Sequence, residues 1–170
     1  MRDADPLTEP WDDVRVGLMH RLNDWAVGHA EVNRQLADWI GLPTSDAVAL
    51  GHLVWAAEAG DPLSPAGLMR RIGLTSGATT LLVDRLEAAG HVARSRESAD
   101  RRRVTLRPTP SARAGVRDFL AAAGAETAAV LRETPAHDLA VATAVLERLG
   151  AANAAAVVRL RSHARVSAAS

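Results

Sequence analysis

The 170 residues carry 20 arginines, no lysine and 20 acids, so the formal net charge is zero, and 48% of the chain is apolar. Such a length supports one domain with helical extensions around a real core, and the abundance of Ala and Leu favours helix over disorder. With no cysteine, disulfides, zinc–thiolate sites, thiol redox sensing and a cysteine nucleophile are all excluded.

Residues 1–10 hold two prolines and several charges and read as a frayed arm. From Trp11 an apolar stripe runs through Val14, Leu18, Leu22, Trp25, Val32, Leu36 and Trp39 at helical spacing, and Gly41-Leu42-Pro43 stops it. A helix of about 30 residues would be about 45 Å long. That exceeds what its own globule needs, so the excess stripe suits a second subunit. Thr44-Ser45-Asp46 offers N-caps for a second helix that ends near Gly60. Ser64-Pro65 pairs a cap with proline at the first helical position and opens a third helix through Ile72.

Gly73 and Leu74 then make a tight turn, and Thr75 or Ser76 caps a fourth helix that runs through Glu87 and stops at Gly90. Its inward face is expected to be Ala78, Leu82, Val83 and Leu86. Ser76, Gly77, Thr79 and Thr80 are expected at its exposed N-terminal end. Alternation of apolar and polar residues over His91–Arg96 and Arg103–Arg107, around Glu97-Ser98-Ala99-Asp100, predicts a two-stranded hairpin. Pro108-Thr109-Pro110 leads into an alanine-rich fifth helix through Leu131, and Thr134-Pro135 opens a sixth through Leu160. No apolar run is expected to reach the roughly 20 residues of a bilayer span, and the first residues lack the apolar centre of a signal peptide. A cytoplasmic protein without a membrane partner is the expectation.

A helix opened by small hydroxyls, a glycine stop and an arginine-studded hairpin follow the order of a winged helix-turn-helix. Such a module offers short polar side chains to a major groove and guanidinium groups to the backbone and minor groove. The charge distribution agrees. Residues 1–63 hold four Arg against eleven acids, a net of −7, whereas residues 64–107 hold nine Arg against four, a net of +5. A basic module beside an acidic arm suits contact with a polyanion on one face. The expected fold class is therefore mainly α: a winged helix-turn-helix core, a two-stranded β wing, and long N- and C-terminal dimerisation helices. The expected division is an arm and dimerisation helix over 1–43, a DNA-binding module over 44–109, and C-terminal dimerisation helices over 110–170.

Four stretches resemble the MarR (multiple antibiotic resistance regulator) family of winged-helix transcription factors. Leu63-Ser64-Pro65-Ala66-Gly67-Leu68 resembles the entry to the helix before the turn, and Val83-Asp84-Arg85-Leu86-Glu87 with Gly90 resembles the end of the recognition helix. Asp100-Arg101-Arg102 resembles the acid–arginine signature of the wing tip, and Leu106 to Thr109 the exit from the wing. There are departures: Leu81 stands where a basic residue is frequent, His91 where a leucine is usual, and Ala112 where glycine is frequent. Pro108 also interrupts the exit from the wing.

The resemblance implies a homodimer that binds double-stranded DNA at a near-palindromic operator and regulates transcription, as a repressor released by a small-molecule effector. The expected DNA contacts are Ser76, Gly77, Thr79, Thr80, Arg85, Arg96, Arg101, Arg102 and Arg103. The resemblance implies that Asp100 braces Arg102, while Arg101 is the candidate for minor-groove insertion. An ion pair with Glu87 or a neighbour of Asp84 is an equal alternative for Arg85. Trp25 and His29 lie four apart on one helix, and His52 and Trp55 three apart on the next. They are candidates for a pocket that takes a small aromatic or anionic ligand, although a tryptophan in a chain this poor in aromatics is more often core. No cofactor, metal site or catalytic residue is expected, since no phosphate loop, nucleophile motif or His/acid cluster appears. The competing reading is a winged-helix protein-interaction module without sequence-specific DNA binding.

Overall fold

A computed structural model describes residues 11–95 and 104–167. Two compact units make up the chain, Met1–Ala123 and Gly124–Ser170. The first holds helices α1 (Asp13–Ile40), α2 (Thr44–Glu58), α3 (Pro65–Ile72) and α4 (Ser76–Ala88), strands β1 (Val92–Ser95) and β2 (Thr105–Pro108), and helix α5 (Pro110–Ala123). The second holds α6 (Ala125–Glu133) and α7 (Ala136–Ser167).

Local chemistry sets most helix boundaries. Asp12 caps α1 by accepting from the Arg15 amide, at 2.9 Å. Ser64 caps α3 by accepting from the Gly67 amide at 3.1 Å, with Pro65 in the first turn as its lost N–H permits. Thr75, not Ser76, caps α4, accepting from the Ala78 amide at 3.3 Å. At α2 the expectation fails: Pro43 is the cap residue, without a side-chain bond, and Asp46 is used elsewhere. Between α3 and α4 the backbone must reverse within a few residues, and Gly73 does so at φ +71°, where any side chain would be strained.

β1 and β2 are antiparallel, with Val92 opposite Pro108 and Ser95 opposite Thr105. The Leu106 amide donates to the Leu63 carbonyl at 2.8 Å, tying the hairpin to the entry of α3. Thr109 ties its exit, donating its hydroxyl to the Gly90 carbonyl at 3.0 Å while accepting from the Ala112 amide. The core is built from Leu50 and Leu53 of α2, Leu68 of α3, and Leu82, Val83 and Leu86 of α4. Val92, Leu106, Val116 and Phe119 complete it. Leu36 and Ala37 bring in only the C-terminal end of α1, whose earlier apolar residues, among them Val14, Leu18 and Trp25, stay exposed.

The C-terminal region differs from expectation in two ways. The fifth helix does not continue to Leu131: it breaks at Gly124, and α6 begins at Ala125. Glycine carries the largest backbone entropy cost in a helix and has no side chain to pack there. In addition, the 25 residues Ala136–Leu160 within α7 contain an 18-residue window of mean hydropathy 1.4 with none of it buried, long and apolar enough by length and composition alone to cross a membrane. This overturns the expectation that no stretch approaches that length. Separated alanines and valines, with Asp138, Glu147, Arg148 and Arg159 among them, hid it from a search for an unbroken run.

Candidate nucleic-acid interface and pocket

The helix-turn-helix is α3, the Gly73 turn and α4. Helical periodicity turns Thr79, Leu82, Val83 and Leu86 inward, at spacings of three, one and three. Ser76, Gly77, Thr80 and Leu81 face outward together. Thr79 is therefore corrected: it is 2% exposed and unavailable to a groove, and its hydroxyl donates to the Thr75 carbonyl at 2.8 Å. That bond removes the penalty of burying a hydroxyl. Ala78, expected inside, is exposed in its place. Leu81 is 63% exposed, an apolar side chain in the middle of the outward face. The Thr80 hydroxyl donates to the Ser76 carbonyl at 3.0 Å, which leaves its lone pairs and methyl facing out.

Arg85 is the second correction. Its Nε and Nη2 donate to the two carboxylate oxygens of Asp46 at 2.8 and 2.7 Å, a bidentate pair across 39 positions of sequence. The partner is neither Glu87 nor a neighbour of Asp84. Ser45 donates a further bond to Asp46 at 3.0 Å. The Arg85 bonds, opposed by burial and helped by Ser45, hold the Asp46 carboxyl below the usual carboxylate range.

Sign and window follow from that direction. The pair's contribution is complete above the unfolded carboxylate value near 3.9 and is lost as pH falls through the lower folded value. Asp46→Asn, having no such group, should lose less stability than the parent chain as the pH falls below about 4. Urea unfolding at several pH values, followed by circular dichroism, measures this.

Arg94 on β1 is also engaged. It pairs with Asp84 and Glu87 of α4 and so fastens the base of the hairpin to that helix. These bonds, opposed by a little desolvation, raise its already high pKa. Arg96, Asp100, Arg101, Arg102 and Arg103 lie outside the described residues.

A separate cavity of about 130 Å³ opens between α1, α2 and α5. It brings together His29, His52 and Trp55 over an apolar floor that includes Leu36, Val48 and Phe119. Trp25, expected as a wall, does not line it. It is 66% exposed and stacks on His29 at 4.9 Å and 7°, backing that imidazole from one turn away. Asn33 adds a polar lining group that the sequence reading missed, as it did Phe119. His52 is held below its usual pKa, first by burial, then by Arg71 and His29, so its neutral form is favoured.

With the turn, the outward face of α4 and the hairpin in place, comparison with known proteins adds kinship for the middle of the chain. Residues 40–103, which span α2 to the hairpin, match the sequence model of the MarR family. Residues 40–103 thus carry the sequence pattern of the MarR family. The chain is also similar to an uncharacterized HTH-type transcriptional regulator, YcgE of Bacillus subtilis (strain 168), with 38% identity over 99 residues. That alignment covers 55% of this chain and 64% of the relative, so less than two thirds of the relative is spanned. The solved transcriptional regulator BldR from Sulfolobus solfataricus is 27% identical, covers 80% of this chain and 96% of its own, and superposes with a TM-score of 0.56. NadR, solved in complex with 4-hydroxyphenylacetate, shares the fold at 19% identity, with 85% and 97% coverage and a TM-score of 0.60.

Proposed function

We propose that this MarR-family protein is a homodimeric, cytoplasmic, sequence-specific DNA-binding repressor of transcription without enzymatic activity, acting at a near-palindromic operator. The observation that carries the reading is the outward face of α4. Ser76, Gly77 and Thr80 stand together at the start of a helix whose other side is packed into the core. A helix start presents unpaired amides to phosphate, and small hydroxyls can bond a base edge or let a methyl meet thymine. The arginine-rich hairpin follows directly in sequence, and Arg96, Arg101, Arg102 and Arg103 are proposed as its DNA contacts, with Asp100 bracing Arg102.

Dimerisation is supported within each unit separately. α1 leaves Val14, Leu18 and Trp25 uncovered, and α7 leaves Val141, Leu146 and Leu160 uncovered. A second copy would remove that area from water. We assign residues 1–43 and 110–170 to this role and 44–109 to DNA. A two-fold dimer would set its reading helices about 34–36 Å apart, one duplex turn. The cavity at His29, His52 and Trp55 is proposed to take a small aromatic or anionic effector. The reading is supported by the neutral imidazole of His52 above an apolar floor, and by the aromatic acid held by NadR.

The test is selection of duplexes from a random-sequence library, followed by titration of a selected duplex over a salt series. Expected results are a near-palindromic sequence, a steep salt dependence, a dimer by sedimentation, and weakened binding on adding 4-hydroxyphenylacetate. A chain that selects no sequence, or that sediments as a monomer at micromolar concentration, would sink the reading.

A further inference from the structure

Asp46 is a carboxylate only 1% exposed in the first turn of α2, and such a group is tolerated inside a protein only when it is paired and fully hydrogen-bonded. Its partner, Arg85, sits in the last turn of α4 with a side chain 54% exposed. A guanidinium at that exposure would ordinarily be free to meet a phosphate. Here its Nε and Nη2 are both turned inward to the carboxylate in a planar fork, the geometry that fixes orientation as well as distance. The outward residues Ser76, Gly77 and Thr80 lie at the opposite end of the same helix. From Arg85 to Ser76 the axis runs about 14 Å, so a tilt of about 10° at the fork would move the reading end by about 2 Å. A displacement of that size is enough to break a base-edge hydrogen bond, whose length tolerates only a few tenths of an ångström.

We propose that Asp46 and Arg85 form the joint that sets the angle of α4, which makes both of them positioning residues for sequence-specific binding and gives Arg85 no phosphate to hold. The proposal rests on the DNA-binding reading above and revises the expectation that Arg85 is a DNA contact. It separates two quantities that a phosphate ligand would change together. Salt dependence and affinity for arbitrary sequence follow the number of phosphate contacts, whereas discrimination between sequences follows the placement of the reading face.

The experiment uses a duplex selected by the full chain and a scrambled duplex of equal length, titrated by fluorescence anisotropy over a salt series. The variants are Asp46→Asn, Arg85→Ala, Arg85→Gln and the double Asp46→Asn/Arg85→Gln. Each single change should weaken the selected duplex about tenfold, and the double should lose no more than the larger single. Affinity for the scrambled duplex and the salt slope should stay at parental values. A merely destabilised protein would instead lose both duplexes together. Should Arg85→Ala fail to fold, as judged by circular dichroism, Arg85→Gln keeps the stem packing and carries the same test.

The proposal is overturned if Arg85→Gln weakens both duplexes alike and lowers the slope by about 0.9 while Asp46→Asn binds as the parent does. It is also overturned if the single effects add in the double, or if neither single changes discrimination. A parent chain that selects no duplex at all removes the DNA reading itself, an outcome distinct from these.

Discussion

Replacing Arg96 and Arg103 together by alanine should lower affinity for a selected duplex about 60-fold at 0.1 M salt, and should lower its salt slope by about 1.8. Each phosphate contact releases about 0.9 of a condensed counterion, a factor of about eight per contact at that concentration. Unlike the change expected at Arg85, this loss should fall almost equally on scrambled DNA, because phosphate contacts hold the protein on the duplex without reading it. Anisotropy titrations from 50 to 200 mM salt measure both numbers. An unchanged slope would mean that the hairpin arginines do not touch phosphate, and the protein-interaction reading would then gain. Arg94 is absent from the double variant, since Asp84 and Glu87 already hold it.

Leu50→Ala should destabilise the first unit by about 3–5 kcal/mol, the cost of deleting a fully buried leucine and leaving a cavity. Leu50 is wholly buried on α2, within the cluster that also contains Leu53, Leu82, Leu86 and Leu106. Domains of this size are stable by about 5–15 kcal/mol, so the variant loses about a fifth or more of its margin. Its midpoint in a thermal melt should fall by about 15 °C. Leu81→Ala is the control. With that side chain 63% exposed, stability should stay within about 0.5 kcal/mol of the parent. If the two variants melted together, the assignment of inside and outside on these helices would be wrong.

Much of the fold could be read from short stretches, because helix starts and stops depend on neighbours. Ser64 with Pro65, the turn at Gly73 and the stops at Gly41 and Gly90 each act within a few residues. The order of elements from α2 to β2 followed from them. Periodicity placed Leu82, Val83 and Leu86 inside but chose Ala78 over Thr79. Both positions suit a 3.6-residue repeat, and hydrophobicity favoured the alanine. Thr79 wins because its hydroxyl is satisfied by the carbonyl one turn back, a bond that hydropathy does not count. The break at Gly124 was missed because the alanine-rich run on either side reads as continuous helix.

The candidate pocket was half visible. His29, His52 and Trp55 were named from spacing on two helices, but which faces meet depends on how α1, α2 and α5 pack. That packing admits Asn33 and Phe119 and leaves Trp25 outside. Charge counting along the chain could not say which hairpin and helix arginines already have acidic partners, and for Arg85 it left an ion pair and a DNA contact equally open. In three dimensions Arg94 is neutralised by two carboxylates of α4, and Arg85 by one carboxylate of α2.

The sequence by itself therefore determined the likeness of its middle module to the MarR family, the succession of helices and hairpin, and the concentration of arginine in one module. Those properties reside in local propensity, capping and composition. Only the tertiary structure decided which arginine is bound inward and which hydroxyl is hidden, and only it formed a cavity from residues on three helices. The physical reason is range. A cap acts over three or four residues, whereas Asp46 meets Arg85 across 39, and no local rule pairs a buried carboxylate with its cation until the chain has folded around both.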